Sequence, residues 1–141
     1  MNHLQDKVVV VTGASSGIGA VSAKALAARD AKIVAAARGQ EALAQLVTDI
    51  NEAGGTAIAR LTDVADIADA ADMQALADFA VERFGRIDVL VNNAGLMLFS
   101  FWKDGAIDDW NRMIDVNIRG YLNGVQAVLP AACCARSPAT S

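Results

Sequence analysis

The chain has 141 residues, 54% hydrophobic and 20% charged, with a formal net charge of -4. That composition suits one globular domain or part of one, and the acidic balance argues against non-specific nucleic-acid binding, which needs clustered Lys and Arg. The polar start Met1–Lys7 and the short apolar run Val8–Val11 form neither a secretory core nor a membrane span, and the adjacent Cys133 and Cys134, far from the single His3, offer no metal-ligand spacing. A cytoplasmic setting with no metal site is expected.

Lys7–Thr12 (KVVVVT) is a continuous β-branched run closed by Gly13, the pattern of a strand buried on both faces of a parallel sheet. Ile18, Val21, Ala25 and Leu26 then recur near helical spacing up to Arg29. Lys32–Ala37 (KIVAAA) predicts a second strand, and Glu41–Ala53 a helix stopped by Gly54 and Gly55. Thr56–Leu61 (TAIARL) predicts a third strand, followed by a loop over Asp63–Asp69. Asp72–Phe84 places Met73, Leu76, Phe79, Ala80 and Phe84 along one helical face and ends at Gly85. Ile87–Val91 (IDVLV) predicts a fourth strand, followed by a loop around Gly95–Gly105. A short helix over Ile107–Ile114 and a longer one from about Val116 to Leu129 complete the periodic part. The last segment, Ala131–Ser141, is small, polar and aperiodic, and reads as a frayed tail. Strands alternating with helices of this length predict an α/β fold, the N-terminal part of a Rossmann-type doubly wound parallel sheet with about four strands and flanking helices.

The turn after the first strand reads Thr12-Gly13-Ala14-Ser15-Ser16-Gly17-Ile18-Gly19. Holding a diphosphate at a helix start requires exposed backbone N–H groups, the positive end of the helix dipole, and residues without a Cβ so that the backbone approaches closely. An isolated glycine triplet is equally consistent with an ordinary turn. Here three further signals accompany it: Asp63-Val64 after the third strand, Asn92-Asn93-Ala94-Gly95 after the fourth, and Asn117-Ile118-Arg119-Gly120 further on. In this order, T-G-x-x-x-G-I-G, N-N-A-G and N-x-x-G resemble the short-chain dehydrogenase/reductase family, over Lys7 to about Pro130. The resemblance implies a cofactor held by Gly13, Ser15, Ser16, Gly17, Ile18 and Gly19, with Asp63 and Val64 at the adenine ring and Asn93, Ala94 and Gly95 beyond. It also implies that Asn117 begins the active site, in a supporting role.

The end of the second strand bears on which nicotinamide cofactor is used. An acid there bonds the adenosine ribose hydroxyls of NAD, whereas a guanidinium forks onto the 2′-phosphate of NADP with hydrogen bonds worth roughly 1.5–3 kcal/mol each. The strand ends Ala37-Arg38, with no acid. Arg38 on its own reads first as a solvated surface charge just past a strand, but the missing acid at Ala37 favours NADP(H) over NAD(H). Residues 1–130 are therefore expected to be an incomplete NADP(H)-binding Rossmann domain.

The resemblance further implies hydride transfer between nicotinamide and a secondary alcohol or ketone, with a Ser and a Tyr-x-x-x-Lys pair delivering the proton. Four-residue spacing puts that Tyr and Lys on one helical face, where the ammonium lowers the phenol pKa. Of these groups only the supporting Asn117 matches. The sole tyrosine, Tyr121, has Val125 four residues on, and no lysine follows Lys103. The chain alone is therefore expected to be inactive. Codons exist for Ala132–Ser141 whose shifted frame contains the Gly-His-Ile with which family members lead into the next strand, so residues 131–141 are expected to be an atypical, frameshifted tail. Three readings follow: an oxidoreductase given in incomplete form, a non-catalytic NADP(H)-binding fragment, or the product of a disrupted gene. Intact relatives are implied to be homo-oligomers acting on small molecules, with neither nucleic acid nor membrane as partner. The apolar, aromatic stretch Leu96–Gly105 (LMLFSFWKDG) forms either one wall of a partly hydrophobic substrate pocket or a packing surface.

Overall fold

A computed structural model describes residues 3–63 and 70–134. Four strands, β1 (Val8–Thr12), β2 (Lys32–Ala37), β3 (Thr56–Leu61) and β4 (Val89–Val91), form one sheet in the order β3-β2-β1-β4. All pairings are parallel. The helices are α1 (Gly17–Ala27), α2 (Gln40–Glu52), α3 (Ala71–Phe84), α4 (Ile107–Ile114) and α5 (Gly120–Cys134). This is the parallel α/β architecture that the alternation of elements predicts.

The unbroken apolar strands follow from burial on both faces. Side chains alternate along a strand, so Val9, Val11, Ile33 and Ala35 pack with Ala23 and Ala27 of α1 and Leu43, Leu46 and Ile50 of α2. Val8, Val10, Val34 and Ala36 point the other way, onto Met73, Leu76 and Ala80 of α3 and Ala127 and Val128 of α5. Alanines at the helix contacts let the helices lie close to the sheet.

Three departures from the sequence expectation have a visible physical cause. The fourth strand starts at Val89 instead of Ile87. The Asp88 N–H does donate to the Val8 carbonyl (2.9 Å), but the Val8 N–H donates to the Asp88 carboxylate (2.9 Å), so a side chain takes the place of the first rung. The long helix expected from Val116 is instead preceded by a π-helical turn, Asp115–Arg119, continuous with α4. Finally, Ala131–Cys134 belong to α5 and are not a frayed tail. Pro130 cannot supply the N–H of a helical bond, yet the helix continues because Ala131 and Ala132 pack against the second core. Residues 135–141 of the expected tail lie outside the described residues.

The two sheet edges are dressed differently. On β3, the exposed Asn51 of α2 accepts the Ala57 N–H (2.9 Å) and donates to the Ala57 carbonyl (3.2 Å), as a neighbouring strand would. On β4, no strand among the described residues pairs with the side away from β1. Next to it, the π-turn and α5 expose Ile118, Tyr121, Leu122, Val125 and Leu129. A bare strand edge with a contiguous apolar surface favours association. The isolated chain is expected to self-associate and to bind a hydrophobic dye, as read by light scattering and dye fluorescence; a soluble monomer with a sharp cooperative melt contradicts this.

Asp88 anchors the entry of β4. Burial opposes its charge, but the Val8 N–H, Arg86 and Lys7 (3.6 Å) outweigh it and hold the carboxyl below its ordinary pKa of 3.8. A carboxylate with a lowered folded-state pKa stabilises fully above its unfolded value, and that stability drains as the pH falls through the folded value. Asp88→Asn is therefore expected to lower the urea midpoint at pH 7 and to approach the parent only as the pH falls below about 3.8 and through the lowered folded-state value, a window that paired titrations of the two proteins would delimit.

Candidate functional site

A cavity of about 480 Å³ opens at the carboxyl ends of the strands. Its floor lies where β1 leaves β2 on one side and β4 on the other, the switch point at which open α/β sheets bind ligands. The principal cross-link there is made by Thr12, which is 1% exposed. Its hydroxyl donates to the Val91 carbonyl (3.3 Å) and accepts the backbone N–H groups of Asn93 (3.1 Å) and Ala94 (3.2 Å). The Asn93 side-chain amide donates back to the carbonyls of Thr12 and Gly13, each at 3.2 Å. The loops after β1 and β4 are thereby fastened into one body.

The fastening brings backbones so close that side chains are excluded. A Cβ on Gly13 would lie 2.8 Å from the Ala94 Cα, and one on Gly19 would lie 2.3 Å from the Gly13 carbonyl oxygen. Above this floor, α1 begins at Gly17 with Ser16 as an extended N-cap residue whose side chain makes no capping bond. The first-turn N–H groups lack intrahelical partners. Open amides at the positive end of a helix, over a floor where glycine lets the chain come near, form a cradle that fits a diphosphate.

Of the residues singled out from sequence, Gly13, Ser15, Ser16, Gly17, Ile18, Arg38, Asp63, Asn93, Ala94 and Gly95 line this one cavity. Gly19 is buried beneath it. Val64 lies outside the described residues. Ala37, Gly39, Thr62, Leu96 and Val116 also line the cavity without having been singled out as contacts. Val116 carried no signal, because a valine at a helical position reads as core; Leu96 was legible only as the start of an apolar loop. Arg38 is exposed at the rim, near Ser15 and Gly39, and makes no ion pair among the described residues. Across from it, the Thr62 N–H donates to the Ala37 carbonyl (3.0 Å), and the Asp63 N–H donates to the Asp72 carboxylate (2.9 Å).

Asn117 does not line the cavity. From the π-helical turn its side chain accepts the Leu96 N–H (2.8 Å) and donates to the Leu96 carbonyl (2.7 Å). The Met113 sulfur accepts the Leu98 N–H (3.3 Å), so two side chains pin the start of the 96–105 loop. Beyond the pins, Phe99, Phe101 and Trp102 are exposed, and Trp102 leans on Trp110 with ring centroids 5.0 Å apart. Tyr121 sits on the exposed side of α5, and its carbonyl accepts the Asn92 side-chain amide (3.3 Å).

These features define a dinucleotide-type fold and pocket, and comparison with known proteins identifies the family. The sequence model of the short chain dehydrogenase family matches residues 7–138, so the chain belongs to that family. An uncharacterized oxidoreductase of Listeria innocua is 42% identical over 134 residues, covering 95% of this chain and 53% of the relative. One of Staphylococcus saprophyticus is 45% identical over 130 residues, covering 92% and 51%. Among solved structures, a short chain dehydrogenase/reductase from Burkholderia phymatum in complex with NAD superposes with a TM-score of 0.90 at 36% identity, covering 99% of this chain and 48% of that one. A metagenomic short-chain oxidoreductase in complex with NADP superposes with a TM-score of 0.86 at 35% identity, covering 94% and 59%. The chain spans about half the length of the curated relatives it matches.

The Thr12 cross-link is directly testable. Thr12→Val keeps the side-chain volume but strands the Ala94 N–H and leaves the Asn93 N–H only its bond to the Val91 carbonyl (3.0 Å), at about 1–3 kcal/mol for a donor left unmatched. Chemical denaturation is expected to show a loss of about 1 kcal/mol or more for Thr12→Val and a much smaller loss for Thr12→Ser, which retains the hydroxyl.

Proposed function

We propose that this chain is the NADP(H)-holding part of an oxidoreductase that moves hydride between the nicotinamide and a secondary alcohol or ketone. The observation that carries this reading is the exposed Arg38 at the rim of a glycine-floored cavity, next to an Ala37 that offers no carboxylate. One solved relative holds NAD and another NADP. The choice therefore rests on this chain's own residues, and a guanidinium suits a 2′-phosphate where an acid would repel it.

In this reading Gly13, Ser15, Ser16, Gly17, Ile18 and Gly19 hold the diphosphate through the open amides at the start of α1, while the Ala14 N–H is already taken by the Ala36 carbonyl (3.1 Å). Asp63 and Val64 meet the adenine ring, and Asn93, Ala94 and Gly95 line the way to the nicotinamide end. When bound, the cofactor supplies or accepts the hydride. Asn117 contributes by fixing Leu96 at the cavity wall. The Leu96–Gly105 loop, with its exposed aromatic rings, forms one wall of a partly apolar substrate pocket. Proton delivery to the developing alkoxide needs a group that none of the 141 residues supplies in Tyr-x-x-x-Lys form. The chain by itself therefore holds cofactor without turnover. A cytoplasmic setting and homo-oligomeric intact relatives belong to the same proposal; no helix of the described residues is long and apolar enough to cross a membrane. A second reading, a binding module that associates with full-length relatives, draws support from the exposed apolar face of α5.

The test is cofactor titration. The parent is expected to bind NADPH more tightly than NADH and to reduce no ketone unaided. Arg38→Asp is expected to weaken NADPH about tenfold to a hundredfold, the equivalent of one charge-assisted hydrogen bond, and to improve NADH. Unchanged NADPH affinity in that variant removes Arg38 from the cofactor assignment.

A further inference from the structure

We propose that Asp72, on α3, is a positioning residue for the adenine end of the cavity, holding Asp63 in place through its backbone. This rests on the cofactor reading above. The last rung between β2 and β3 pairs Ala37 with Leu61, and one residue later the Thr62 N–H still reaches the Ala37 carbonyl. At Asp63 the chain has left the ladder, and its N–H is met by a side chain from nine residues on: the Asp72 carboxylate, at 2.9 Å. Asp63 lines the cavity and Asp72 does not.

The acceptor is mounted rigidly. Asp72 lies half-buried in the first turn of α3, and the next residue, Met73, is 1% exposed within the second core. Asp63 is thus tied to β2 through Thr62 and to α3 through Asp72, and the cavity wall takes its position from both. Removing the acceptor takes away the bond that holds the Asp63 backbone to α3, so that wall of the cavity loses one of its two ties.

Asp72 also stands near the positive end of α3, where a carboxylate stabilises a helix whatever else it does. The residue before the helix, Ala70, has φ 55° and supplies no side-chain cap. The two roles separate in a pair of variants. Asp72→Asn keeps an oxygen acceptor for the Asp63 N–H but loses the charge; Asp72→Ala loses both. Thermal melts and titrations with NADPH and with adenosine 2′,5′-bisphosphate are made on all three proteins. Both variants are expected to melt below the parent. Only Asp72→Ala is expected to lose affinity, about fivefold for both ligands, the equivalent of one hydrogen bond of about 1 kcal/mol. If Asp72→Ala binds as tightly as the parent, or Asp72→Asn as weakly as Asp72→Ala, the positioning role is overturned while cofactor binding stands. A folded parent that binds neither ligand overturns the cofactor reading and this proposal with it.

Discussion

The hydroxyl of Thr12 and the amide of Asn93 fasten the exits of β1 and β4 to each other, and most of the site's geometry follows from that fastening. Parallel strands diverge at a switch point, so two loops leaving in different directions need a bond between them to keep a fixed gap. Here one buried hydroxyl satisfies two backbone donors and one carbonyl acceptor, while the neighbouring amide satisfies two more carbonyls. The resulting contact is too tight for a Cβ at Gly13 or Gly19. Gly13 and Gly19 are therefore needed for the scaffold before any ligand is considered. A diphosphate cradle then comes at little extra conformational cost, because the amides are already aimed and held.

Cavity and sheet share one logic of layered support. The strands bury both faces, which fixes their carboxyl ends; the loops are cross-linked above them; and Asn117 and Met113 pin the next loop from the side. Each layer is positioned by the one beneath. Beyond Leu98 the side-chain pins give way to the contact of Trp102 with Trp110, and Phe99, Phe101 and Trp102 reach solvent.

Much of this was legible in the sequence because the signals are steric or periodic. Val8–Val11 and Ile33–Ala36 announce strands covered on both sides, and the glycine spacing announces a close backbone approach. What escaped were places where a side chain replaces backbone or where small residues pack. Asp88 shortens β4 by taking a rung with its carboxylate, which no propensity records. Ala131 and Ala132 look aperiodic, since alanine carries a weak hydrophobic signal, yet their contact with the core extends α5 past Pro130. Asn117 was legible as a motif residue, but its grip on both polar groups of Leu96 depends on a π-helical turn, which has no sequence period of its own. Val116 reaches the cavity wall from that same turn.

Asn51 gives the sheet a direction of growth. With both polar groups of Ala57 engaged by one carboxamide, a strand pairing along the whole of β3 has to displace two formed hydrogen bonds. At β4 there is no such obstacle among the described residues. Any lengthening of this sheet, whether by chain continuing from α5 or by another polypeptide, is thereby steered to the side where Val89 faces solvent, and the opposite margin stays a terminus.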